Sequence, residues 1–97
     1  MIVDSSALLE QVTDDVMRSA FNSAGQRCSA LRVLIVQEDI YQEVIDMVTG
    51  AMKVLDIGPT ENFNNDIGPI ISKDAFKKLK DYIEAASIDG GIYLLSI

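Results

Sequence analysis

The chain has 97 residues, 48% of them hydrophobic, and carries 8 Lys+Arg against 15 Asp+Glu for a net charge of -7. That length holds one small domain or a piece of a larger one, and the acidic balance repels phosphate backbones, so nucleic acid is excluded as an expected partner. The absence of histidine, with Cys28 as the single cysteine, excludes Ser-His-Asp and Cys-His pairs, intrachain disulfides and zinc sites built from His or several Cys.

In chain order, Met1–Asp4 reads as the end of a strand, after which Ser5 and Ser6 offer N-cap oxygens. Leu8, Val12, Val16 and Ala20 recur every fourth residue, with Leu9, Met17 and Phe21 widening the stripe, which predicts an amphipathic helix over 7–22. Gly25 supplies the left-handed backbone that a C-cap needs. Leu31–Val36 is apolar except for Arg32 and rich in β-branched residues, the pattern of a strand buried on both faces. Asp39 and Gln42 have capping-box spacing ahead of a second helix, 40–55. Residues 56–72 are irregular and contain Asp-Ile-Gly-Pro twice, at Asp56–Pro59 and Asp66–Pro69, a duplication too short to be an architectural repeat. Ser72 caps a third helix, 73–88, which Gly90-Gly91 ends, and Ile92–Ile97 reads as a further strand over 92–96.

Two strands joined by helical crossovers predict an α/β fold with a parallel sheet. Three helices cover the faces of such a sheet only in part and its edges stay open. With a mean hydropathy of +0.20, the chain is expected to be part of something larger. No apolar run approaches membrane-spanning length, and residues 1–30 lack a basic segment followed by an apolar core. A reduced, cytoplasmic protein without a membrane partner is therefore expected.

Cys28 lies in a small-residue loop between a helix and an apolar strand. Such a loop presents a thiol with backbone N–H groups free to stabilise a thiolate or oxyanion, and Arg27 beside it adds positive potential. A lone cysteine taken by itself is more simply a small buried hydrophobe. Asn62, Asn64 and Asp66 alternate as in a calcium loop, but glycine falls at the seventh position (Gly68) and Lys73 stands at the twelfth, so no metal is expected there. The glycines form no phosphate-binding motif.

The segment Phe21-Asn22-Ser23-Ala24-Gly25-Gln26-Arg27-Cys28-Ser29-Ala30-Leu31-Arg32-Val33 resembles the catalytic-cysteine segment of aldehyde dehydrogenases. The wording Ser-Ala-Gly-Gln-Arg-Cys-Ser-Ala-Leu-Arg within it looks like the pyrroline-5-carboxylate dehydrogenase part of bacterial proline utilisation A. Met1–Ala7, Ile57-Gly58-Pro59 and Asp66–Ile71 extend the likeness over residues 1 to about 90. The resemblance implies that residues 1–97 are a partial aldehyde dehydrogenase catalytic domain without the nucleotide-binding domain. It implies that the Cys28 thiolate attacks the aldehyde carbon of glutamate semialdehyde and that hydride then passes to NAD. Hydrolysis of the resulting thioester gives glutamate. It also implies that the Cys28 N–H forms half of the oxyanion hole and that Ser29 sits near the substrate's carboxylate end. In the family the catalytic Glu, the oxyanion Asn and the dinucleotide-binding region precede this segment, and a Glu-x-Phe-Gly-Pro cofactor contact follows it. NAD binding by this segment alone is therefore not expected, nor is activity in isolation. Two outcomes are expected: complementation by dehydrogenase segments on another polypeptide, or a non-catalytic remnant that self-associates through uncovered apolar faces.

Overall fold

The computed structural model describes residues 1–88. Two short β-branched segments, β1 (Ile2–Val3) and β2 (Ile35–Val36), lie parallel with Ile2 against Ile35 and Val3 against Val36. The Ile35 and Gln37 amides donate to the Met1 and Val3 carbonyls, both at 2.9 Å. The terminal ammonium of Met1 extends the ladder by donating to the Val33 carbonyl at 2.9 Å. The chain crosses from β1 to β2 through α1 (Leu9–Phe21), and β2 leads through a 3-10 turn at Glu38–Ile40 into α2 (Tyr41–Met52).

The apolar stripes of α1 and α2 meet each other and one face of the strand pair. Val3, Val16, Val44 and Val48 form the buried cluster, with Leu34 and Val36 packed against it. Val44, at 1% exposure, is its centre; burying such a side chain is worth about 1.5–3 kcal/mol. The expected α/β class, parallel pairing and helical crossover are thus present.

Several local expectations need correction. The strand expected over 31–36 is regular only at Ile35–Val36, because its partner β1 starts at Ile2 with just the Met1 ammonium reaching the Val33 carbonyl, and the Leu31 amide donates to the Ser19 carbonyl at 3.1 Å. It is covered on one face only, since Val33 and Ile35 are exposed and the helices pack on the side of Leu34 and Val36. The first helix starts at Leu9, not residue 7. Ser6 does not cap it, because the N-cap position falls at Leu8; the Ser6 amide and hydroxyl both donate to the Asp4 carboxylate, and the Ala7 amide closes the turn on the Asp4 carbonyl at 3.1 Å. The Ser5 amide likewise goes elsewhere, to the Gln37 side chain at 2.8 Å.

Nor does Asp39 cap the second helix. It lies within the 3-10 turn, and Gln42 instead donates to Asp46 one turn on, at 2.9 Å. That helix ends at Met52, short of residue 55, with turns closing at Val54 and Leu55.

α3 (Lys73–Ile88) matches the expected helix, and Ser72 does cap it, its hydroxyl accepting the Ala75 amide at 3.1 Å. The strand expected over 92–96 and the glycine stop at Gly90-Gly91 lie outside the described residues.

Between α2 and α3 the two Asp-Ile-Gly-Pro copies bridge each other in parallel, Ile57 opposite Ile67. The Asp66 and Ile67 amides donate to the Asp56 carbonyl at 2.8 and 3.1 Å, and the Gly58 amide donates to the Ile67 carbonyl at 3.0 Å. The duplication therefore has a local structural use.

The Cys28 loop as candidate active site

The last turn of α1 leaves carbonyls without helical partners, and the loop that follows is built on them. Arg27 Nη2 donates to the Arg18 and Ser19 carbonyls at 2.9 and 3.2 Å, a cation at the negative end of the helix dipole. Arg32 Nη2 closes the other side, donating to the Gly25 and Arg27 carbonyls at 2.8 and 3.3 Å. The Arg27 guanidinium thus donates to backbone carbonyls of α1. Arg18 forms an exposed ion pair with Asp14 at 3.1 Å, a contact of small energetic weight.

The chain leaves α1 through Ser23, Ala24 and Gly25, all with positive φ (57°, 54° and 67°). The C-cap of α1 itself is Asn22, so Gly25 ends the left-handed run that follows it. Two non-glycine residues in this region cost on the order of 1–2 kcal/mol each, and the bonds to the Ser23 and Gly25 carbonyls hold them there. At Gly25 a Cβ would lie 2.8 Å from the Ala20 carbonyl oxygen, so the position admits glycine alone without movement of α1.

Cys28 follows in the turn as a free, exposed thiol. That overturns the reading of a lone cysteine as a buried hydrophobe. Ala30 is the buried residue of this turn, its amide donating back to the Arg27 carbonyl at 3.2 Å. Ser29 is exposed beside Cys28. Among the described residues no carbonyl accepts the Cys28 backbone N–H.

The Asn62–Asp66 stretch serves its own turn. Asp66 Oδ2 accepts the Asp56 amide at 2.9 Å and Asn65 Nδ2 donates to the Pro59 carbonyl at 2.8 Å. Among the described residues no three carboxylates or cysteines cluster closely enough to hold a metal.

Sequence reasoning missed Gln26, whose side chain reaches from this loop to Pro69 and Ile71; a lone polar residue beside a glycine carries no periodic signal that would have exposed it. It lines an open depression of ≈ 650 Å³ with Ser23, Gly68, Pro69, Ile71 and Leu79. Neither this depression nor the two smaller ones, beside Glu61 and beside Glu10, Glu43 and Asp46, is lined by a basic side chain. No described helix is long and apolar enough to cross a membrane.

Comparison with known proteins places this geometry. The Aldehyde dehydrogenase family pattern matches residues 1–96. The bifunctional protein PutA of Klebsiella aerogenes is 49% identical over 90 residues, which cover 93% of this chain and 7% of that protein. A crystal structure of bifunctional proline utilization A superposes with a TM-score of 0.90 at 42% identity, covering 96% of this chain and 10% of the other. A 1-pyrroline-5-carboxylate dehydrogenase from Thermus, solved with bound NAD, gives 0.88 at 33% identity over 96% and 18%. The chain belongs to the aldehyde dehydrogenase family. It spans less than a tenth of the length of the curated PutA protein that it matches.

Proposed function

We propose that this chain is the nucleophile-bearing segment of an NAD-dependent aldehyde dehydrogenase of the pyrroline-5-carboxylate type, which oxidises glutamate semialdehyde to glutamate. The observation that carries the reading is the exposed Cys28 thiol, held on a loop pinned at both ends by Arg27 and Arg32. In the step assigned to these residues, the Cys28 thiolate adds to the aldehyde carbon. A C–S bond forms, the carbonyl π pair moves onto oxygen, and the Cys28 N–H donates to that oxygen. Ser29 is assigned to the carboxylate end of the substrate by likeness to the family. NAD, when bound by the enzyme, accepts the hydride; that chemistry and the activation of water belong to regions of the enzyme outside these residues. The isolated segment is therefore expected to be inactive, and complementing dehydrogenase segments are its expected partner.

Replacing the matched 90-residue stretch of the Klebsiella aerogenes protein with this chain tests the reading. The chimera is expected to reduce NAD with glutamate semialdehyde. Its Cys28→Ala form is expected to lose at least ~10⁴-fold in kcat, as removal of a nucleophile does elsewhere. Equal turnover by the two folded chimeras rejects Cys28 as the nucleophile.

A second reading, self-association of a non-catalytic remnant, rests on a different observation. Ile2, Val33 and Ile35 expose adjoining apolar side chains beside the open strand pair. Concentration-dependent sedimentation that Ile35→Lys abolishes would favour that reading. A monomer at all concentrations would remove it.

A further inference from the structure

The side-chain amide of Gln26, two residues before Cys28, joins stretches of chain 43 and 45 residues apart. Its Oε1 accepts the Ile71 backbone N–H at 2.8 Å. Its Nε2 donates to the Ser23 carbonyl at 3.0 Å and, more weakly, to the Pro69 carbonyl at 3.4 Å. The Gln26 backbone N–H also donates to the Ser23 carbonyl, at 3.1 Å. The orientation of the amide follows from its neighbours: a flipped group would set its NH₂ against the Ile71 N–H and its oxygen against two carbonyls.

Apolar packing does not make this junction, since the Ile71 side chain is 86% exposed. Ile71 directly precedes Ser72, which caps α3. One side chain therefore ties the loop that carries the thiol to the second Asp-Ile-Gly-Pro turn and the start of the third helix.

The geometry points to Gln26 as a positioning residue for the Cys28 thiol, acting by clamping the loop to the Pro69–Ile71 turn. This rests on the reading of Cys28 as the nucleophile. Clamped, the loop offers the thiol in a restricted set of directions, as attack on a carbonyl carbon requires. Released, it samples more.

The test uses the 97-residue protein in its native, Gln26→Ala and Gln26→Glu forms. Three quantities are read: amide exchange at Ile71, amide exchange at Val44 and Val48, and the ratio of Cys28 alkylation rates by iodoacetamide and by a bulky maleimide. In Gln26→Ala, Ile71 is expected to exchange roughly fivefold faster, the equivalent of one hydrogen bond of about 1 kcal/mol. The reagent ratio is expected to shift at least about threefold, with Val44 and Val48 unchanged. Gln26→Glu keeps an acceptor for the Ile71 N–H in both ionisation states but loses the donor to the Ser23 and Pro69 carbonyls when it ionises, so Ile71 is expected to stay protected while the reagent ratio moves toward that of Gln26→Ala as pH rises through the carboxyl titration. General loosening produces no such pH signature.

Native-like Ile71 exchange in Gln26→Ala overturns the proposal. So does equal acceleration at Val44 and Val48, or a reagent ratio that stays fixed while Ile71 is released. Failure of the parent reading looks different: the Cys28→Ala chimera keeps its turnover while the Gln26 results stand.

Discussion

Residues 1–52 and residues 53–86 are held by different forces. The buried hydrophobic side chains, Val3, Val16, Ala30, Val44 and Val48, all lie in the first stretch. In the second, no described residue is buried, and Val54, Ile57, Phe63, Ile71 and Tyr82 are exposed. What orders the second stretch is polar: the paired Asp56 and Asp66 turns, Asn65 on Pro59, and Gln26 on Ile71. Hydrophobic burial is shared among many side chains and is lost all at once. Hydrogen bonds at the surface trade with water and open one at a time. The thiol loop sits where the two regimes meet. Its Arg27 is anchored on α1, Arg32 closes the loop on its own carbonyls, and its glutamine reaches the loosely held half.

The sharpest way to break this contrast is to remove one side chain from each region. Val44→Ala is expected to destabilise the protein by about 2 kcal/mol or more, through lost transfer energy and the cavity left behind. Phe76→Ala, at a site 55% exposed, should cost less than about 1 kcal/mol despite deleting a larger group. Urea titration followed by circular dichroism measures both. Comparable losses would mean that α3 is packed into the core after all.

Asp66→Ala probes the polar half alone. It removes the acceptor of the Asp56 amide, so exchange at Asp56 and Gly58 should rise roughly fivefold, for one lost bond of about 1 kcal/mol. The unfolding free energy of α1 and α2 in urea should fall by less than about 0.5 kcal/mol, leaving the midpoint nearly unchanged. A midpoint that falls as far as it does in Val44→Ala would show that the two halves unfold as one unit.

The same division decides what was legible in the sequence. Where periodic burial dictates structure, as with the Val12–Val16 stripe of α1 and Val44–Val48 of α2, the elements could be read directly. The Ser72 cap was legible because its oxygen has one nearby use. Ser6 and Asp39 carry the same capping chemistry, yet other partners claim Ser6 and a 3-10 turn absorbs Asp39. The side of β2 that stays open depends on where the helices settle, which residues 31–36 alone do not encode. Cys28 stood out as a lone thiol on a small-residue loop, its role came from the resemblance to a family motif, and its exposure decides between the presented and the buried reading. Gln26 depends on a contact 45 residues away, beyond any local pattern.

The smallest effect is expected where a polar turn sits inside the packed region. Hydrogen bonds from the Ser6 hydroxyl and then the Ser6 amide hold the Asp4 carboxyl below its ordinary value of 3.8. Because the folded form holds the charged state more tightly than the unfolded chain, Asp4 contributes stability above 3.8 and loses it as pH falls through the lower folded value. A carboxyl titration followed by NMR should place the Asp4 midpoint below 3.8 in the native protein and return it toward that value in Ser6→Ala. The turn that precedes α1 should loosen over the same acid range while the Val44 and Val48 amides keep their protection, since neither side chain titrates. If those core amides lose protection together with the Asp4 titration, the entry turn is coupled to the core, and the separation of polar from apolar support fails even within residues 1–52.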